Sequence, residues 1–163
     1  MDGESRRGDL LLSDASGLDR RPIVAEGLNR ADIPFVAGLV GPHEPLQGAR
    51  STAVEIPDLL RRYRPDAVHL SLGHVDITRS FEADGNSYPA EQLPEIEIHL
   101  HRILDAIADL PACECVLATA PPVLDDCQEE VRMDDVEQLN TVIRSVGDQR
   151  DTLVNRLDLA VAN

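Results

Sequence analysis

Between Asp9 and Leu159, short apolar runs alternate with amphipathic stretches of helical period, and this alternation leaves the chain few folds to choose from. Five runs have strand character: Asp9 to Leu12, Ile33 to Ala37, Ala67 to Leu72, Cys113 to Thr119 and, more weakly, Thr152 to Leu159. The second is closed by Gly38 and by Gly41-Pro42, the fourth by Pro121-Pro122. The third is apolar almost without a break, as a strand covered on both faces of a parallel sheet must be.

The intervening stretches read as helices. Pro22 suits a first helical turn, and Ile23, Val24, Gly27 and Leu28 follow on one face. Thr52 to Tyr63 carries Val54, Ile56, Leu59 and Leu60 at helical spacing. Pro94 to Leu110 has the clearest stripe, Ile96, Leu100, Ile103, Leu104 and Ile107, with charges opposite. Val131 to Val146 turns Val136, Leu139, Val142, Ile143 and Val146 inward. Phe81 to Leu93 reads as a polar loop. Strands alternating with helices predict a parallel sheet. Right-handed crossovers then make it a flavodoxin-like three-layer α/β/α sandwich. Three turns fall on one edge: the turn after Leu12, Gly73 to Asp76, and Thr119 to Pro122. Ligands of such sheets sit beyond the carboxyl ends of the strands.

The 163 residues make one domain, 1–163, with neither an internal repeat nor a linker, though one or both ends of that domain can be missing. The net charge is -15, and all 15 basic residues are Arg. That balance argues against a phosphate-tracking nucleic-acid binder and against an anionic membrane surface. With no Lys, Schiff-base and P-loop chemistry have no carrier. Two Tyr, two Phe and no Trp leave little for stacking platforms. No apolar run is long enough to span a membrane, and Met1 to Arg7 holds no signal core. With an odd cysteine count, the expectation is a reduced, cytoplasmic protein.

Metal and cofactor signals are weak. Cys113 and Cys115 share a face if both lie in the fourth strand; they and Cys127 read as structural thiols. His99 and His101 stand two apart on a helix and do not face each other. Glu95–His99 and Glu97–His101 are ordinary i,i+4 pairs, and His69, mid-strand, reads as packed. Asp125-Asp126, Glu129-Glu130 and Asp134-Asp135 read as a solvated face at a helix N-terminus. No glycine loop of a nucleotide site follows a strand. No cofactor and no metal are expected.

Four segments nonetheless line up with one family. "PDAVHLSLGHVDI" (Pro65 to Ile77) resembles the block of SGNH (GDSL-type) hydrolases in which a buried strand ends in G-x-N-D. "IPFVAGLVGPHEPLQGARS" (Ile33 to Ser51) resembles the block with a strand, a His-Glu-rich loop and a key glycine, which would be Gly48. "VLATAPPV" (Val116 to Val123) is similar to the fourth strand and its exit, and "LNTVIRSV" (Leu139 to Val146) to the helix that follows.

The resemblance implies ester hydrolysis on a small acylated substrate. A serine attacks, a histidine takes its proton, and an asparagine amide with backbone N–H groups stabilises the oxyanion. Two registers offer a nucleophile. Gly3-Glu4-Ser5 resembles the G-D-S block itself, but no strand precedes Ser5. Alternatively, Leu10 to Leu12 is that strand; the serine position then falls on Ala15, with Ser16 one residue late. Gly48 fills the glycine role, and its missing Cβ permits close approach. Val75 stands where the asparagine belongs and cannot donate. Asp76 matches the last position, where it would organise the turn by local bonds. In the family's D-x-x-H pattern, Asp158 is followed by Val161. His74, at the strand end, and His43 are the histidines nearest the implied site. The second implied reading is an inactive copy of the fold that binds a ligand or a partner.

Overall fold

In a computed structural model, the described residues are 9–13, 35–39, 48–81, 87–89, 91–123 and 131–160. Five strands form one parallel sheet: β1 (Asp9–Ser13), β2 (Phe35–Leu39), β3 (Ala67–Ser71), β6 (Glu114–Ala118) and β7 (Leu153–Asn155), in the order β2-β1-β3-β6-β7. This is the flavodoxin-like order. Register is continuous across it: Leu12 pairs with Gly38 on one side and Leu70 on the other, and Leu70 pairs with Leu117.

Helices α1 (Ala49–Tyr63), α2 (Leu93–Ala108) and α3 (Met133–Gln149) lie in the connections from β2 to β3, β3 to β6 and β6 to β7. Each crossover they form steps the same way across the sheet, so right-handedness puts all three on one face, and α1 packs on α2 and α2 on α3. Between helices and sheet lies the core, with Ile56, Leu70, Ile96, Leu100, Ile103, Leu117, Leu139 and Ile143 almost fully buried. The helix expected from Pro22 belongs to the β1–β2 connection and lies outside the described residues.

The elements differ from the sequence expectation at particular points. β2 runs through Gly38, because a glycine facing Leu12 in a parallel ladder still offers its backbone groups. α1 starts at Ala49, capped by Gly48. Its buried stripe is Ala49, Thr52, Ile56 and Leu60, while Val54, about 200° round the helix from Ile56, is exposed. The expected polar loop contains a two-stranded antiparallel hairpin, β4 (Arg79–Phe81) with β5 (Ser87–Pro89). Cys113 lies one residue before β6. The last run splits: β7 stops at Asn155 and a helical turn, α4 (Leu157–Ala160), follows.

Two helix ends explain their own positions. α2 opens with a capping box in which Gln92 and Glu95 satisfy each other's backbone N–H groups, with Pro94 in the first turn. Near the end of α3, Gly147 lets the helix lie against β7, because a Cβ there would run into Val154. Gly147→Ala is expected to cost about 1–2 kcal/mol in a urea melt, the usual penalty for overpacking; an unchanged midpoint would mean that Val154 can move aside.

Candidate functional site

The strand order reverses at β1, whose chain connects to β2 on one side while β3 and later strands proceed to the other. Beyond the carboxyl ends of β1 and β3 is therefore the position at which open α/β sheets bind ligands. Ser13 and Ser71 end the two strands side by side. From Ser71 the chain passes through Leu72 into the turn Gly73-His74-Val75-Asp76.

That turn is tight. Ile77 N–H donates to Gly73 O at 3.2 Å, Thr78 N–H to Val75 O at 3.1 Å, and the Thr78 hydroxyl to His74 O at 3.2 Å. Gly73 has φ +101°, a left-handed backbone that favours glycine. A Cβ there would also press on Leu139 of α3. Val75 is 7% exposed and packed, with no polar atom to offer from its side chain.

Asp76 does more than organise its own turn. Its Oδ2 accepts the N–H of Ala49, 2.9 Å away and 27 residues back in sequence. The carboxylate so caps the first turn of α1, and it sits where a Cβ on Gly48 would be. Gly48 is a glycine because of this contact; its own φ of -85° is open to any residue. The turn that carries Val75 and the glycine of the second block are thus one unit, joined through Asp76.

Asp76 is 6% exposed, and burial, with the nearby Glu91 charge, pushes its carboxyl up to about 6 against the pull of the Ala49 N–H. Glu91 donates its N–H to Asp76 O at 2.8 Å. The two carboxylates face each other, and they can share a hydrogen bond only when one carries a proton. Glu91 Oε1 stands 3.3 Å from His99 Nε2. Glu91 Oε2 and His99 Nδ1 are buried with no hydrogen-bond partner. His99 therefore pairs with Glu91 and not with Glu95, because Glu95 is occupied in the capping box. His101 keeps its i,i+4 contact with Glu97, at 4.0 Å.

Two further residues fix the neighbouring rim. Asn140, in α3, is buried and clamps Ala120: its Oδ1 accepts the Ala120 N–H at 2.7 Å and its Nδ2 donates to Ala120 O at 2.9 Å. The asparagine of "LNTVIRSV" holds the exit of β6 in this way. Asp158 accepts a bidentate pair from Arg156 at 2.9 and 2.8 Å and the Thr119 hydroxyl at 2.7 Å, with Arg144 at 3.5 Å. The Arg156 guanidinium, aided by Thr119, holds the Asp158 carboxyl well below the usual carboxylate range. A cavity of about 370 Å³ opens beside it, lined by Pro122, Met133, Asn140, Arg144 and Arg156.

Of the residues expected from sequence, Gly48, Val75 and Asp76 come together at the switch point. His74 is in the same turn, and its side chain is half-buried. Ser5, Ser16, His43, Cys127, Asp125, Asp126, Glu129 and Glu130 lie outside the described residues. Asp135 departs from the solvated face expected of it: it takes a bidentate bond from Arg79, at 2.7 and 2.9 Å, and ties α3 to β4. The Asp76–Glu91–His99 array had no sequence signal. Glu91 precedes the helix cap and His99 lies two turns beyond it, a spacing that belongs to no repeating pattern.

No family model and no curated protein matches the sequence. Solved structures do. A lipase/acylhydrolase from Enterococcus faecalis is 16% identical, with 94% of this chain and 77% of that one covered and a TM-score of 0.67. An acetyl xylan esterase is 13% identical, covering 92% and 77%, with a TM-score of 0.67. A GDSL-like lipase from Bacteroides thetaiotaomicron is 9% identical, covering 92% and 68%, with a TM-score of 0.66. At these identities the likeness is one of fold, and the fold is that of the SGNH hydrolases.

Proposed function

We propose, from a fold shared with GDSL-type esterases and lipases, that this chain is an SGNH-type domain that binds a ligand in its switch-point crevice without efficient acyl transfer. The observation that carries this reading is Val75. It is buried in the Gly73–Asp76 turn, at the place of the oxyanion asparagine, and offers no donor. Loss of one such donor costs about 3 kcal/mol in the transition state, or 10²- to 10³-fold in rate.

The strand limits support the same reading. β1 ends at Ser13, and the residues next in sequence are Asp14, Ala15 and Ser16. A nucleophile set directly after the first strand would then be Ala15. Ser5 precedes β1 by four residues, and Asp9, the first residue of β1, pairs with Ala67 at the opposite end from the crevice. Within this chain, Asp158 has Val161 three residues on, and its carboxylate is taken up by Arg156 and Thr119. The Gly48–Ala49 turn adds no replacement, because its Ala49 N–H is already taken by the Asp76 carboxylate.

A second reading keeps ester hydrolysis, with Ser16 as nucleophile. It is favoured by sequence position, since Ser16 follows the carboxyl end of β1 by three residues. One experiment separates the two. The purified protein, shown to be folded by circular dichroism, is treated with a fluorophosphonate probe and mapped by peptide mass spectrometry, with p-nitrophenyl acetate turnover measured in parallel. The expected result is no labelling at Ser5 or Ser16 and turnover at the level of buffer. Labelling at Ser16, with activity lost in Ser16→Ala, would overturn the binding reading and establish the hydrolase.

A further inference from the structure

At the other end of the sheet, away from the crevice, lies a cavity of about 650 Å³. It is bounded by Leu104 and Ile107 of α2, by Gln149 and Arg150 at the end of α3, and by the start of β6 and β7. Cys113 and Cys115 both line it. Neither is in a disulfide, and both are half-buried. They stand two apart in sequence, Cys113 one residue before β6 and Cys115 within it. Both also pack against the hydrophobic core there.

We propose that Cys113 and Cys115 form a dithiol site for a soft monovalent cation, of the class of Cu(I) or Ag(I). The choice of ion follows from the donors. Thiolates select soft cations. Zinc in protein sites takes four ligands, and among the described residues no group of three or more His, Cys, Asp or Glu side chains is placed to hold a metal. Two sulfurs satisfy a linear, two-coordinate ion. Binding forms two S–metal bonds and breaks two S–H bonds, so one cation enters and two protons leave. The resulting bis-thiolate complex carries one negative charge; of the charged groups lining the cavity, Arg150 is cationic and paired with Asp105, while Glu114 and Asp151 are acidic. Because binding releases both thiol protons, affinity must rise with pH.

The test is an anaerobic titration of the full chain with Cu(I), buffered by a chromogenic Cu(I) chelator. The expected result is one ion per chain, with loss of binding in Cys113→Ser and in Cys115→Ser and full retention in Cys127→Ser. Tighter binding at pH 8 than at pH 6 is expected as well. A second measurement needs no variant: in the wild-type protein, Cu(I) should protect Cys113 and Cys115 together from maleimide, read by peptide mass spectrometry. No binding by folded protein, binding that depends on Cys127, or protection of one thiol without the other would overturn the proposal.

Discussion

Asp76→Asn is expected to stabilise the protein by about 3 kcal/mol at pH 8 and to leave its stability unchanged near pH 3. The folded-state carboxyl is raised, from 3.8 to about 6, chiefly by burial and further by Glu91. A raised acid holds its proton more tightly in the folded state. Its contribution is therefore fully present below the unfolded value and is lost as pH rises through the folded one. Each pH unit of that interval is worth about 1.4 kcal/mol. Asparagine has the same shape and no charge to bury. Its Oδ1 can accept the Ala49 N–H, and its amide can donate to Glu91, which ionised Asp76 cannot do. Urea melts at several pH values should show wild type losing stability between about pH 4 and pH 6 relative to the variant. A variant less stable than wild type at pH 8 would mean that α1 needs a charged cap and that burial is the smaller effect.

Asp158 works in the opposite direction. Its folded carboxyl is lowered, first by Arg156, so its contribution is present above the usual carboxylate range and is lost as pH falls below it. The two groups together place the stability maximum they control near roughly pH 4. Asp76→Asn removes only the decline on the alkaline side.

Asn140→Ala is expected to destabilise by about 3 kcal/mol. The clamp on Ala120 consists of two buried bonds, at 2.7 and 2.9 Å, and Asn140 is 3% exposed. Removing the amide leaves a buried N–H and a buried C=O without partners, and each such orphan costs about 1–3 kcal/mol. Asn140→Asp tests the geometry separately. Aspartate can still accept from Ala120 N–H but cannot donate to its carbonyl while ionised. Its melt should recover toward wild type at low pH, where a protonated carboxyl regains a donor. A loss below about 1 kcal/mol in Asn140→Ala would mean that water replaces the amide.

The sheet was legible because its signal is local. The buried run from Ala67 to Leu72 and the stripe from Ile96 to Ile107 each need only their own side chains to declare period and burial, and both elements formed where the pattern put them. The handed crossover rule fixes the face each helix covers, while the strand order β2-β1-β3-β6-β7 came from the structure. The β4–β5 hairpin escaped because its two three-residue strands are too short to carry a period. The turn from Gly73 to Asp76 was legible as a turn at the end of β3, because glycine adopts the positive φ of 101° found there.

By itself, the sequence determined the alternation of elements, the parallel sheet and the crevice end of β3. It also determined that the Val75 side chain has no donor to offer, since a side chain's chemistry does not depend on where it folds. Only the tertiary structure decided what Asp76 does. Its partners, Ala49 and Glu91, lie 27 residues before it and 15 after it, and burial, not composition, raises its carboxyl. The same holds for Asn140 on Ala120 and Arg79 on Asp135. Polar contacts of this kind depend on distances of a few ångströms between elements distant in sequence, and no periodicity encodes them. Burial makes them strong, because a polar group removed from water must find its partner within the fold.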